Sequence, residues 1–150
     1  MKAVRIAAGV LALSLVWPLA GNAQDGEPQE VRQQLMEEVG DATGVMGNML
    51  RGRTEYDPQA VIEALGVIEA NAAVFPDYFP EGSETGFETE ALPAIWENKA
   101  EFEERSDELS SAAAELAGAV PEDMDAFAPM FQEFSRNCSG CHDDFRMSDD

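Results

Sequence analysis

The chain has 150 residues, and its 30 acidic and nine basic residues give a formal net charge of −21 at pH 7. A surface this acidic repels nucleic acid and anionic lipid, so we expect neither as a partner. The length suits one compact domain, and no apolar run after the N-terminal segment is long enough for a membrane span.

The first 23 residues are typical of a cleaved secretory signal. Two basic residues near the start precede an apolar run at positions 6–19, and a small-x-small pattern ends at Ala23. The run is shorter than the roughly 20 residues of a spanning helix. We therefore predict a mature chain from Gln24 to Asp150, exported to the bacterial periplasm. Loss of the two basic residues brings its formal charge to −23.

Apolar periodicity predicts a first helix at residues 30–51, where apolar side chains recur three or four positions apart. A second helix should begin at Pro58, because Asp57 is a good N-cap and proline suits the first helical position. Pro76 should end it. Residues 76–91 contain two prolines and two glycines without a clear period, so we expect an ordered connection. Its length is unusual for a bundle link and favours a binding role.

A third helix is predicted to begin at Leu92-Pro93, and a fourth near Glu122. Pro129 lies inside the fourth helix and should kink it or delay its regular part. No segment alternates polar and apolar residues as a half-buried strand does. The pattern predicts an all-α fold, an antiparallel four-helix bundle, in which cofactor sites are built from side chains on facing helices.

The motif Cys138-x-x-Cys141-His142 contains both cysteines and the only histidine of the chain. This spacing is the attachment signature of a c-type haem. Residues three and four apart share a helical face, so both sulfurs can bond to one porphyrin edge while His142 turns under the iron. The motif therefore predicts one haem c, attached covalently through Cys138 and Cys141, with His142 as an iron ligand.

Three other kinds of site use cysteines at this spacing. A thioredoxin-like redox pair starts a helix after a strand, whereas this pair ends a helix in a chain without predicted strands. A structural zinc site needs four ligands, usually Cys or His, and the chain has three such residues. A disulfide between the two cysteines is compatible with export, but it gives the adjacent histidine no role.

Further stretches accompany the motif: RQQLM in the first helix, AVFPDYFPEGSETG in the loop, PAIWENKAEF in the third helix and CSGCHDDFR in the fourth. With these stretches, and with the motif near the end of the chain, residues 24–146 resemble the class II c-type cytochromes, the cytochrome c-prime family. The resemblance implies a four-helix bundle that carries a haem. Pro129 departs from the uninterrupted last helix of that family.

The resemblance also implies a role for Met36. It matches the residue over the distal haem face, which ligates the iron in the low-spin branch and only blocks the sixth position in the five-coordinate branch. The loop is more similar to the low-spin branch, so we predict Met36 as a haem-facing residue and iron ligand. A core methionine is the alternative. Its position off the apolar stripe of Leu35 and Val39 favours the haem-facing role.

Two arginines complete the site that the resemblance implies. Arg32, one turn before Met36, matches an arginine that pairs with a haem propionate, and a planar guanidinium suits a carboxylate. A solvated arginine or an intrahelical ion pair is the alternative. Arg146, one turn beyond His142, matches a basic residue on the proximal side. Stabilising the carbonyl end of the last helix is the alternative for Arg146.

The predicted function is electron transfer in the periplasm by Fe(II)/Fe(III) cycling, with no enzymatic reaction. The alternative is a five-coordinate cytochrome c-prime that binds NO or CO. The acidic surface favours basic redox proteins as partners. Members of the family pair through their first two helices, so the resemblance also implies a homodimer.

Overall fold

The computed structural model describes residues 27–148, so the predicted signal peptide and its cleavage site lie outside the described residues. The helices are α1 (Pro28–Leu50), α2 (Pro58–Val74), α3 (Ala94–Glu97), α4 (Lys99–Ala117) and α5 (Met124–Phe145). The four long ones, α1, α2, α4 and α5, form the predicted bundle. No β-strand occurs within residues 27–148, where one isolated bridge pairs Ala91 with Arg146. None of these helices is both long and apolar enough to cross a bilayer.

The first two helices agree with the prediction from the sequence. α1 starts two residues earlier than expected, with Pro28 in its first turn. The carboxylate of Asp57 accepts hydrogen bonds from two backbone N–H groups at the start of α2, at 3.0 and 3.3 Å, so Asp57 is the predicted cap. The chain then passes from α2 directly into a 3₁₀ turn, Phe75–Tyr78, which contains Pro76.

The predicted third helix is two helices in the structure, because Asn98 interrupts it. Asn98 has φ −125° and ψ 45°, outside the helical region. Its backbone N–H and its side-chain amide both donate to the carbonyl of Ala94, at 2.8 and 3.3 Å, and these bonds end α3. Its own carbonyl accepts from the N–H of Phe102 at 3.1 Å at the start of α4. With this break, Ile95 of α3 and Phe102 of α4 are buried in the same cluster.

α5 runs through Pro129 without interruption. The carboxylate of Asp123 accepts from the N–H of Ala126 at 3.0 Å and caps the helix. Pro129 does not delay the regular helix, which begins at Met124. The proline is exposed, so the hydrogen bond that it removes lies on the solvent side, where water can replace it.

Two apolar clusters fill the bundle. The larger joins α1, α2, α4 and α5, and Met46, Leu65 and Phe127 are fully buried within it. The smaller cluster, called the aromatic cluster below, consists of Phe79, Ile95, Phe102 and Phe145. Three seams of the bundle are closely packed, whereas α1 and α5 touch at only a few points. The bundle is therefore open along the α1–α5 seam.

Phe127→Ala should lower the free energy of unfolding by about 3–5 kcal/mol, because the ring is fully buried and contacts the rings of Tyr56 and Phe131. Denaturant unfolding of the purified protein measures the change. The matched control is Phe87→Ala, since that ring is 47% exposed, and we expect its effect to stay within about 0.5 kcal/mol. Equal losses in the two variants would contradict this description of the core.

Candidate functional site

A cavity of about 750 Å³ lies along the α1–α5 seam. All the site residues predicted from the sequence line it. They are Arg32 and Met36 on α1, and Cys138, Cys141, His142 and Arg146 on α5 and at its end. The end of the long loop, residues 88–91, forms part of the rim. The volume lies within the range of pockets that enclose small molecules and cofactors.

The α5 wall carries both cysteines and the histidine on one face, because their spacing follows the helical period. Cys138 packs against the larger apolar cluster, whereas Cys141 packs against the aromatic cluster. The two sulfurs are not joined in a disulfide. Within residues 27–148, no group of three or more His, Cys, Asp or Glu side chains is arranged to hold a metal ion.

Burial shifts the pKa values of the three titratable side chains of the motif on the α5 wall. It raises the pKa of the Cys138 thiol and raises the pKa of Cys141 to about 11, partly opposed by the nearby Arg105. Burial also lowers the pKa of His142, and the positive charge of Arg146 adds to this effect. Before any cofactor is attached, the thiols are therefore protonated and the imidazole is uncharged at neutral pH. An uncharged imidazole is the form that binds a metal.

Arg32 is a buried cation on the α1 wall, only 4% exposed. Its Nη2 donates to the carbonyl of Ser83 at 2.8 Å, and longer bonds of 3.4 Å reach the Tyr78 carbonyl and the Thr89 hydroxyl. The guanidinium carbon lies 4.6 Å from the centroid of the Phe79 ring. The alternatives of a solvated arginine and of an intrahelical ion pair are therefore wrong.

The charge of Arg32 has no carboxylate within salt-bridge distance among residues 27–148. Burial lowers the pKa of Arg32, and Glu84 opposes this at longer range. A buried charge is costly unless it is paired. The loop carbonyls and ring faces offset part of this cost, and a carboxylate on a molecule in the cavity would offset more.

Met36 lies on α1 one turn beyond Arg32, partly buried against the larger cluster and lining the cavity. It faces the cavity from α1, and His142 faces it from α5. Gly40 lines the same wall one turn further on, and a Cβ placed on it would meet nothing within 4 Å. Gly40 is exposed, so the space next to it is open to solvent.

Arg146 fastens the end of α5 to the long loop. It is the C-cap residue of α5, and its backbone N–H donates to the carbonyl of His142 at 3.1 Å. Its Nε lies 4.0 Å from a carboxylate oxygen of Glu90, and its backbone forms the bridge to Ala91. The N–H of Leu92 donates to the carbonyl of Phe145 at 3.0 Å. Arg146 thus ends the helix and lines the cavity.

The sequence prediction missed Arg105 and Ser106 on α4, which also line the cavity. Arg105 forms ion pairs with Glu101 on its own helix and with Asp144 on α5, each at 3.8 Å. The hydroxyl of Ser106 donates to the Ala72 carbonyl at 2.7 Å. The sequence contained a signal for both residues. They lie three or four positions from Phe102 and Leu109, which the apolar periodicity predicts to face inward, so they share that face of the helix.

The cavity fits a covalently held haem. Aromatic rings of Phe75, Phe79, Phe102 and Phe145 line it. Two thiols and an imidazole lie on its α5 wall, the donor set of the attachment motif. The Arg32 cation, without a carboxylate partner in the described part of the chain, lies on the α1 wall, where a haem propionate could pair with it.

Comparison with known proteins agrees with this site. A family model described as Cytochrome C' matches residues 27–146. A cytochrome c-556 of Agrobacterium tumefaciens is 35% identical over 118 residues, which cover 79% of this chain and 95% of that protein. A cytochrome c' of Rhodopseudomonas palustris is 35% identical over 115 residues, 77% of this chain and 78% of that protein. A solved structure of cytochrome c' from R. palustris superposes with a TM-score of 0.79 at 32% identity, covering 84% of this chain and all of that one (100%).

Arg32→Met should loosen the loop from α1, because the variant keeps an unbranched side chain but leaves the carbonyl of Ser83 without its charged donor. We expect faster amide hydrogen exchange in residues 78–89 and a loss of about 2 kcal/mol in the free energy of unfolding. The control is Arg53→Met, an exposed arginine outside the cavity. Unchanged exchange in the loop of the Arg32 variant would contradict this role.

Proposed function

The chain belongs to the cytochrome c' family, and from this premise we propose that it is a periplasmic mono-haem electron carrier. The observation that carries the proposal is the composition of the cavity. An attachment motif on α5 faces a methionine and a buried arginine on α1 across a space lined by aromatic rings. No further acid–base pair is required, since electron transfer makes and breaks no bond.

The cofactor is haem c, which this family binds through two cysteines, and Cys138 and Cys141 are the only cysteines of the chain. When bound, haem supplies a one-electron Fe(III)/Fe(II) couple. We assign His142 as the iron ligand from the α5 side and Met36 as the ligand from the α1 side. A thioether ligand raises the reduction potential and leaves no open coordination position.

The chain contributes binding, orientation and exclusion of water. The aromatic cluster and the partly buried cysteines keep the cavity wall apolar. A low-dielectric surrounding strengthens every charge interaction within it. We assign Arg32 to a propionate carboxylate, and the hydrogen bonds that it donates to the loop then hold the loop in place as well. We assign Arg146 to the proximal side, next to His142.

Gas binding is the second candidate function, and the similarity of the chain to proteins named cytochrome c' favours it. The family includes cytochromes c' that bind NO or CO. Gly40 and Thr43 line the α1 wall of the cavity beyond Met36. In this alternative Met36 is a steric lid rather than a ligand, and a diatomic gas binds on the α1 side.

We also propose a homodimer, which other members of the family form. Large apolar side chains are exposed on the first two helices of this chain. They are Val45 on α1 and Ile62, Val67 and Val74 on α2. Burying them against a second copy would remove apolar surface from water.

Replacing Cys138 and Cys141 together by alanine should allow the haem to be removed by acid–acetone extraction, because no thioether would remain. The unmutated protein should keep its haem under the same treatment. Ser139→Ala, at an exposed position between the two cysteines, is the matched control and should also keep it. Release of haem from the unmutated protein would overturn covalent attachment.

Met36→Ala should convert the iron from low-spin to high-spin, lower the reduction potential and let CO bind the ferrous form, because the thioether would be lost. Optical spectra of both oxidation states, with a redox titration, measure all three changes. Met130→Ala is the matched control, since Met130 packs against the larger cluster but does not line the cavity. An unmutated protein that is already high-spin and binds CO readily would favour the gas-binding function instead.

A further inference from the structure

Two large apolar side chains are exposed next in sequence to residues that line the haem cavity, Glu88 and Arg146. Phe87 in the long loop is 47% exposed, and Met147, just after α5, is 44% exposed. The acidic side chains of Glu88, Glu90 and Asp143 are exposed beside them in the sequence. We call these five residues the mouth surface.

Hydrogen bonds hold the two parts of the mouth surface together. The backbone N–H of Met147 donates to the carbonyl of Glu90 at 2.7 Å. Phe87 is three residues from Glu90, so their Cα atoms are at most about 11 Å apart. The side-chain amide of Gln33 on α1 donates to the carbonyl of Glu88 at 2.6 Å and holds the loop beside Phe87. Phe87 and Met147 are therefore fixed close enough for one partner to cover both.

The mouth surface borders the haem site directly. Glu88 and Glu90 line the haem cavity. Met147 and Asp143 line a smaller groove together with His142. A protein that covers the mouth surface therefore lies against the residues that hold the cofactor.

Within residues 27–148, the other large apolar side chains that are exposed lie elsewhere. Val45, Ile62, Val67 and Val74 are on α1 and α2, and none of them lines the cavity. They suit contact with a second copy of the chain, as proposed above. Among the large apolar side chains exposed in this part of the chain, Phe87 and Met147 are the two that lie outside α1 and α2.

The negative charge of the chain favours a basic partner protein. A second copy that bound through its own mouth surface would place the acidic side chains of the two surfaces against each other. A basic protein would instead be attracted, and an apolar centre with a charged rim is the usual anatomy of a protein interface. A standard interface of about 800 Å² per partner is wide enough to include both Phe87 and Met147.

We propose that the mouth surface docks a basic one-electron redox protein, with Phe87 and Met147 at the centre of the interface and the acidic side chains at its rim. This rests on the proposed electron-carrier function. One electron leaves the reduced protein and enters the oxidised metal or haem centre of the partner. No bond is formed or broken and no proton moves, so the exchange is balanced.

The test is a stopped-flow measurement of electron exchange between the reduced, haem-loaded protein and a strongly basic small c-type cytochrome used as the probe. Phe87→Ser with Met147→Ser should lower the bimolecular rate constant about tenfold at high salt, where charge attraction is screened. The control, Ala126→Ser with Gln132→Ser at exposed positions of α5 that do not line the cavity, should leave the rate unchanged. An unchanged visible spectrum and reduction potential would show that the haem site is intact in each variant.

A charge-matched pair of variants tests the rim. Glu88→Gln with Glu90→Gln should flatten the dependence of the rate on ionic strength. Glu63→Gln with Glu69→Gln, an equal change of charge at exposed positions on α2, should affect it much less. Equal effects of the two pairs would mean that the charge of the whole chain attracts the probe, which would overturn the acidic rim.

The remaining outcomes separate this inference from the proposed function. The docking proposal is overturned if the protein exchanges electrons with small reagents but not with the probe, or if only the control variants slow the exchange. It is also overturned if the mouth variants change the molecular mass in light scattering and leave the rate unchanged, since the surface then binds a second copy. If the haem cannot be reduced and reoxidised reversibly, the electron-carrier function itself fails.

Discussion

The open seam between α1 and α5 is the constraint on which the rest of the structure depends. The side chains around this cavity of about 750 Å³ have no protein atoms against them on one side, so their packing depends on the molecule that fills it. The other three seams are packed around fully buried residues such as Met46, Leu65 and Phe127, whereas α1 and α5 touch at only a few points. We propose that haem c, the cofactor of the family, fills this space.

Arg32 connects that seam to the long loop. A guanidinium that is 4% exposed loses most of its hydration, and the described chain offers it carbonyl oxygens and the Phe79 ring rather than a carboxylate. The loop is therefore held to α1 by a charge that still favours an anion in the cavity. From the other side, hydrogen bonds of Leu92 and Met147 hold the end of the loop to the end of α5. These contacts join the loop to both helices, and the end of the loop lines the cavity between them.

Much of the fold could be predicted from the sequence, because the features concerned are local. The period of apolar residues, the cap at Asp57 and the spacing of Cys138, Cys141 and His142 involve hydrogen bonds or faces within a few residues of each other. The fragmentation of the third helix was missed, although it too is local. The side chain of Asn98 donates a hydrogen bond to the carbonyl of Ala94 and so competes with the backbone hydrogen bonds of the helix. The spacing of apolar residues gives no sign of such a hydrogen bond. The delay expected from Pro129 does not occur, because the effect of a proline depends on whether it lies on the exposed or the buried side of a helix, and Pro129 is exposed.

The sequence by itself determined the four-helix bundle, the haem-attachment motif and the helical face of α1 that carries Arg32 and Met36. Only the tertiary structure decided what those residues contact. Arg32 and Ser83 are 51 positions apart, and Gln33 and Glu88 are 55 apart, so no periodic pattern records their hydrogen bonds. The same holds for Arg105, whose ion pair with Asp144 joins two helices, and for the exposed Phe87 and Met147. The physical reason is that periodicity fixes which side of an element faces inward, whereas the packing of elements against each other fixes which distant residues meet.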